Sequence, residues 1–389
     1  MKKMMVFFWC MFLCSFCASN VYGWGVTTRL TWNSGNSLYP DMAVDSSDVI
    51  HIVWADYTPG NYEIYYKKSA DHGTSWSAPQ RLTWNSGLSD TPKIVIDWLG
   101  SLHVVWSDCS FSSYELLYKN STDSGNTWGA VKRLTYSSVN SRNPDIERDL
   151  NNIYIVWDEP KSGYNQILFK KSTDYGATWS TPQWLTYAAR SSYVPVIVRD
   201  ANGHIHVIWH EDFIGNLEIV HKKSTNNGNT WSNPKRLTYL SGDSIYPALA
   251  ADAYGAIYVV WEDRTHGDGE IYFKCSFTGG ATWGAPKRLT WGSGFAYQPK
   301  IEIVNTGFFS TAEMHIVYMD GTPANYDVYY HKSTDNGSTW LPRVRITWSL
   351  DETSHPTICK DFLTETINVA WADRLNGVGY NHEIYFKRD

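Results

Sequence analysis

The sequence has few cysteines and almost nothing that looks helical. Of its six cysteines, Cys10, Cys14 and Cys17 sit in the first 17 residues. Cys109, Cys275 and Cys359 are far apart and odd in number. That excludes a disulfide framework and any paired-cysteine metal motif, so the fold must be held by packing. No segment carries a sustained helical period. Positive charge is also short: 33 Lys and Arg stand against 39 Asp and Glu, a net charge of −6. A nucleic-acid partner and an anionic membrane surface are both disfavoured by that balance.

One long apolar run exists, from Met4 to about Ala18, behind Lys2 and Lys3. It is short for a membrane span and has the form of a secretion signal, with small residues offering cleavage after Gly23 or Ser19. Leu13 and Phe16 precede Cys14 and Cys17 where a lipoprotein signal has a small residue. The expected division is 1–23 as signal peptide and 24–389 as one secreted domain with no membrane span. Loss of Lys2 and Lys3 takes the charge from −6 to −8.

What is abundant is repetition. Leu-Thr-aromatic recurs at Leu30-Thr31-Trp32, Leu82-Thr83-Trp84, Leu134-Thr135-Tyr136, Leu185-Thr186-Tyr187, Leu237-Thr238-Tyr239 and Leu289-Thr290-Trp291, with Ile346-Thr347-Trp348 as a seventh copy. Ten residues after each copy stands Pro40, Pro92, Pro144, Pro195, Pro247, Pro299 or Pro356. A fixed period near 52 residues means one supersecondary unit used repeatedly. Sixteen of the 20 Trp fall at three repeat positions, so their default reading is packing.

Each unit holds four short strand-like segments separated by Gly, Asn, Asp, Ser and Pro, such as Val49–Trp54 and Glu63–Lys68. The reading is all-β: a seven-bladed β-propeller of four-stranded antiparallel blades. The chain opens on a fourth strand and ends on a third. Residues 27–31 are therefore expected to complete the last blade, which removes an exposed sheet edge.

Between third and fourth strands lie SADHGTSW (69–76), STDSGNTW (121–128), STDYGATW (172–179), STNNGNTW (224–231), SFTGGATW (276–283) and STDNGSTW (333–340). The Asp can accept turn N–H groups, Gly supplies positive φ, and Trp can plug the gap between sheets. This pattern resembles the Asp-box (BNR repeat) of sialidase-like β-propellers. Asn226 and Thr278 depart from it. The resemblance implies a functional face opposite the Asp-boxes, built from loops between second and third strands and between successive blades.

On that face a carboxylate follows each second-strand aromatic by two residues: Asp56, Asp108, Glu159, Glu211, Asp263, Asp320 and Asp373. Two readings stand. Either each ties its own loop by hydrogen bonds, or the seven form a ring holding Ca²⁺ through oxygen ligands. No cofactor is required by the sequence. Residues beside the repeated prolines vary between blades and are expected to rim the channel, among them Tyr39, Asp41, Asp145, Tyr246 and His355. Arg142, Arg190, Arg264 and Arg374 fall on the same face and would suit a carboxylate or sulfate ligand.

The function expected first is non-catalytic binding of a glycan or an extracellular protein by a monomer. The first alternative, implied by the resemblance, is a sialidase-like glycoside hydrolase acting on the ends of acidic sugars. The family's Arg-Ile-Pro opening is absent and no tyrosine matches its nucleophile by motif. A passive envelope component is the second alternative. Longer connections near Asn305–Glu313 and Leu375–His382 mark places where the repetition fails.

Overall fold

The computed structural model describes residues 23–187, 189–292, 294–305, 312–321, 325–349, 351–374 and 381–389. The expected signal segment apart from Gly23, most of the long connection after Asn305 and most of the Leu375–His382 loop lie outside the described residues. The strands form seven four-stranded antiparallel sheets, each ordered from first to fourth strand. Blade 1 comprises Ser37–Val44, Ile50–Asp56, Glu63–Ser69 and Gln80–Arg81. Blades 2 to 6 span Ser89–Arg133, Arg142–Trp184, Ser192–Arg236, Ser244–Arg288 and Ala296–Arg345. Blade 7 takes Thr353–Lys360, Ile367–Arg374 and His382–Arg388 from the C-terminus and Thr28–Arg29 from the N-terminus.

Closure follows the expected register. Thr28 pairs with Phe386 and Arg29 with Tyr385, while the Leu30 N–H donates to the Ile384 carbonyl at 2.7 Å. Blade 7 has no Asp-box tryptophan of its own. Trp24 takes that place, meeting Tyr330 of blade 6 edge-on with ring centroids 5.0 Å apart. The other six box tryptophans make the same contact with the preceding blade, as Trp128 does with Tyr66 at 5.1 Å and Trp76 with Phe386 at 5.2 Å.

The core lies between blades rather than within them. The cluster joining blades 1 and 2, for example, packs Ile64, Tyr66 and Leu82 against Ile94, Val104 and Trp106. Second strands such as Ile50–Asp56 are buried along their whole length, which explains their continuous apolar runs. The Leu-Thr motif serves a fourth strand only two residues long. Leu82 fills the interface, and Thr83 Oγ1 accepts the Ile64 N–H at 2.8 Å where the ladder would otherwise stop.

In the Asp-box turn, Asp123 Oδ1 accepts the Thr127 N–H at 2.8 Å and Oδ2 accepts the Thr127 hydroxyl at 2.6 Å. Ser121 Oγ accepts the Gly125 N–H at 2.9 Å. A Cβ on Gly125 would stand 2.1 Å from the Tyr66 hydroxyl oxygen, so this glycine is fixed by the neighbouring blade as well as by its φ of +77°. Asn226 keeps the turn, accepting the Thr230 N–H at 2.9 Å.

Candidate functional site at the channel mouth

Every first strand begins with the same distortion. The pairing register slips across the residue before the proline and the proline itself, as between Leu38 and Asp41. All seven residues before the prolines have positive φ: Tyr39, Thr91, Asn143, Val194, Tyr246, Gln298 and His355, between 47° and 55°. Thr91 and Val194 are β-branched, for which this region is a genuine outlier. A residue before proline is normally extended. Such positions cost about 1–3 kcal/mol each and concentrate where a fold serves a ligand. Here the bulges turn seven side chains toward one central cavity of about 210 Å³, walled by the seven prolines.

Tyr39, Asp145, Tyr246 and His355 line this cavity, as expected for the rim. Tyr39 and His355 meet across the seam between blades 1 and 7 with centroids 4.2 Å apart. Burial pushes the His355 imidazole down to about 4, so it is neutral. Asp41, expected at the rim, does not line the cavity because its carboxylate turns to the next blade, and Asp145 does the same while still lining it. Asp41 Oδ2 accepts the Ile94 N–H and Asp145 Oδ2 the Ile197 N–H of the next blade, both at 2.9 Å. Lys93 Nζ lies 3.3 Å from Asp41 Oδ1. Lys300, facing Lys93 across the lumen, is pushed down to about 8 by that charge first and by burial second.

The four arginines have separate partners, and none lines the central cavity. Arg190 Nε donates to Glu211 at 2.9 Å and Arg264 Nε to Glu262 at 2.8 Å. The Arg142 guanidinium lies 3.8 Å from the Tyr114 ring centroid. Arg374 lines a different groove with Trp348 and Asp373.

The seven repeated carboxylates act blade by blade. Asp56 accepts from Ser37 Oγ at 2.8 Å, Trp54 Nε1 at 3.1 Å and the Thr58 N–H at 2.9 Å. Asp108, Glu159, Glu211 and Asp263 likewise bind the serine and tryptophan of their own blades. Asp320 pairs with Arg343, and Asp373 accepts from Ser349 Oγ at 2.7 Å. Their donors are N–H and O–H groups, and among the described residues none of the seven belongs to a cluster able to share an ion. The set does not fit a calcium ring. The carboxylates that open the third strands have a partner too. Arg81 binds Glu63 at 2.9 Å and Arg133 binds Glu115 at 2.8 Å, while blade 3 replaces this pair with Gln166 and Trp184.

Sequence reasoning missed a second variable position on this face. It is the residue between the second-strand aromatic and its carboxylate: Ala55, Ser107, Asp158, His210, Glu262, Met319 and Ala372. Register pairs these with Leu38, Asp90, Arg142, Tyr193, Ile245, Tyr297 and Ser354. Blades 2 to 5 thus carry a polar arc, whereas blades 1, 6 and 7 are mostly apolar there. Burial pushes Asp90 up to about 6, with Thr91 and Arg142 opposing it. Burial also pushes Asp158 up to about 6, although it accepts from Asn143 Nδ2 at 2.7 Å and from the Val194 N–H at 3.1 Å. His210 is pushed down to about 4 by burial, and it meets Tyr246 with centroids 5.9 Å apart. Nδ1 of His210 and Oε2 of Glu262 are buried without a hydrogen-bond partner. Such atoms in a native fold call for a water or ligand.

One recurrent tryptophan position is not packing. Trp32, Trp84, Trp291 and Trp348 are 66–69% exposed. Each lies beside its own arginine, as Trp84 does at 5.8 Å from Arg81.

The chain matches no protein-family profile and no curated protein. It is similar to solved structures over most of its length. One is a protein of unknown function from Dyadobacter fermentans, 12% identical with TM-score 0.58, covering 93% of this chain and 97% of that one. Another is the intramolecular trans-sialidase of Ruminococcus gnavus, 13% identical with TM-score 0.55, covering 92% and 96%. A third is an α-L-arabinofuranosidase of Fusarium graminearum, 14% identical with TM-score 0.53, covering 77% and 93%. The fold is sialidase-like. At these identities the likeness is one of fold alone.

Proposed function

We propose that this chain is a secreted sialidase-like propeller whose channel mouth binds glycan without turning it over. The observation that carries the reading is the polar arc of blades 2 to 5. A backbone repeated seven times presents a different side chain in each of these blades, and two buried polar atoms there lack partners. Tyr246, 40% exposed beside His210, offers an aromatic face with a polar tip, suited to a sugar ring. Arg190 and Arg264 are already matched to carboxylates and Arg142 is stacked on a ring, which favours a ligand rich in hydroxyls over one recognised by several free cations.

A specific observation also supports a second reading, glycoside hydrolysis. Asp90 and Asp158 are both raised to about 6 and both feel Arg142. Two carboxyls, one held as an acid and one ionised, are what such chemistry needs. Its test is turnover of fluorogenic arabinofuranosides and sialosides by residues 24–389. Array binding with no turnover supports the binding module. Turnover abolished by Asp158→Asn replaces it with the enzyme. Silence in both assays removes the glycan and leaves a protein ligand. Export is part of the proposal, and N-terminal sequencing of the exported chain is expected to start at Trp24.

A further inference from the structure

At the Asp-box end, blades 1 and 2 share one polar ladder. Asp97, which caps the turn between first and second strands, faces His103 Nε2 at 3.2 Å, and His103 Nδ1 meets the Tyr118 hydroxyl at 2.6 Å. Blade 1 repeats it with Asp45, His51 and Tyr66. Blade 4 departs from this at two places. His204 stands where blade 2 has Ser101, and His221 stands where it has Tyr118. The hairpin register brings these residues, 17 apart in sequence, to one end of the sheet.

The geometry points to a divalent transition-metal site at Asp200, His204 and His206, with Zn²⁺ as the ion best suited to it. Asp200 Oδ2 lies 3.0 Å from His204 Nδ1 and 3.2 Å from His206 Nε2. Ligands bound tetrahedrally at about 2.0–2.1 Å are spaced by roughly 3.3 Å, close to these values. Two imidazoles and one carboxylate, with a fourth position left for water, suit zinc rather than calcium or magnesium. The three donor atoms form one of only two such groups among the described residues.

The surroundings orient these ligands. Asp200 Oδ1 accepts the Asn202 N–H at 2.9 Å and the His204 N–H at 2.8 Å, which fixes the carboxylate and leaves Oδ2 free to ligate. His206 Nδ1 lies 3.0 Å from His221 Nε2, so a metal-bound His206 can donate its remaining N–H to His221. That bond sets the tautomer and raises the basicity of the ligating nitrogen. Asp200 and His206 are fully enclosed, while the His204 side chain is 27% exposed and gives the ion its entry. Lys223 is the opposing charge on this sheet end, and its ammonium is held at 2.9 Å by the Gly279 carbonyl. The other group, Asp48, His72 and Asp361, is different because the Arg388 guanidinium occupies Asp361.

The test is calorimetric titration of chelator-treated residues 24–389 with Zn²⁺, beside the visible spectrum after Co²⁺ loading. One ion per chain and intense d–d bands of four-coordinate cobalt are expected. His204→Ser and His221→Tyr restore side chains that blade 2 already uses, so both should fold with unchanged melting in chelator. His204→Ser should abolish the stoichiometric binding. His221→Tyr keeps a hydroxyl facing His206 Nδ1, as Tyr118 does for His103, and should leave binding nearly unchanged, whereas His221→Phe, the side chain of blade 3 at Phe169, should weaken it by about 10–100-fold, as loss of an orienting partner does. His72→Ala should leave it unchanged. Absence of one-to-one binding, or equal binding by wild type and His204→Ser, would overturn the site.

Discussion

The two ends of the propeller repeat different things. At the Asp-box end, backbone and side chains recur together. Asp123, Asp174 and Asp335 make the same hydrogen bonds to Thr127, Thr178 and Thr339. At the other end each first strand repeats one bulge and one positive φ before its proline, yet no two adjacent rim residues agree. Strain is therefore kept in all seven blades while chemistry is free to vary. That division separates scaffold from the proposed recognition surface. Blade 4 departs from that repetition with two histidines, His204 and His221.

Perturbing the scaffold should have the largest effects. Leu30, buried in the seam that joins the two termini, belongs to the cluster with Trp54 and Phe386. Leu30→Ala is expected to cost about 2–5 kcal/mol in a urea melt, as for other core truncations. A loss under 1 kcal/mol would mean that the N-terminal strand does not close the ring.

Gly125→Ala comes next. Its methyl would meet Tyr66 at 2.1 Å and hold φ at +77°. Overpacking and the left-handed backbone together should cost about 2–4 kcal/mol. The same substitution at Gly60, where a Cβ meets nothing within 4 Å, isolates the backbone share.

A third prediction concerns pH. Asp158 is 3% exposed, and its carboxyl is raised from 3.8 to about 6 in the fold. The folded state therefore prefers the neutral acid. The penalty is absent below the unfolded value, grows between about pH 4 and 6, and is constant above. At about 1.4 kcal/mol per unit it reaches on the order of 3 kcal/mol. Wild type should lose stability over that interval relative to Asp158→Asn, measured by melts at matched ionic strength. Parallel pH profiles would show that Asp158 is already ionised in the fold.

The smallest effect should come from Asp123→Asn. Asn226 already performs the task, donating from Nδ2 to Thr230 Oγ1 at 2.8 Å. A thermal shift as large as that of Gly125→Ala would show that the box carboxylate does more than close its turn.

The blade count, the strand order and the closure by residues 27–31 were legible because they rest on periodicity and register. The pairing of the outer-strand arginines with third-strand carboxylates was half legible, since both series were visible without their contact. The polar arc was not. Sequence attention went to residues beside the prolines, whereas Asp158, His210 and Glu262 lie inside apolar runs that read as uniform core. Only the first-to-second strand pairing places Asp158 opposite Arg142. Trp32 and its equivalents misled for the opposite reason. Recurrence suggested burial, but the fourth strand is so short that the aromatic after it falls beyond the sheet. His204 and His221 each look unremarkable until the hairpin joins them.

Hydrogen exchange with and without a bound oligosaccharide, chosen from the array, tests the central claim most directly. The account predicts protection of peptides covering 88–93, 141–145, 193–196 and 243–247, which carry the arc and its bulges. Peptides covering the Asp-box turns should not change. Protection of the Asp-box turns, with the mouth unaffected, would contradict it.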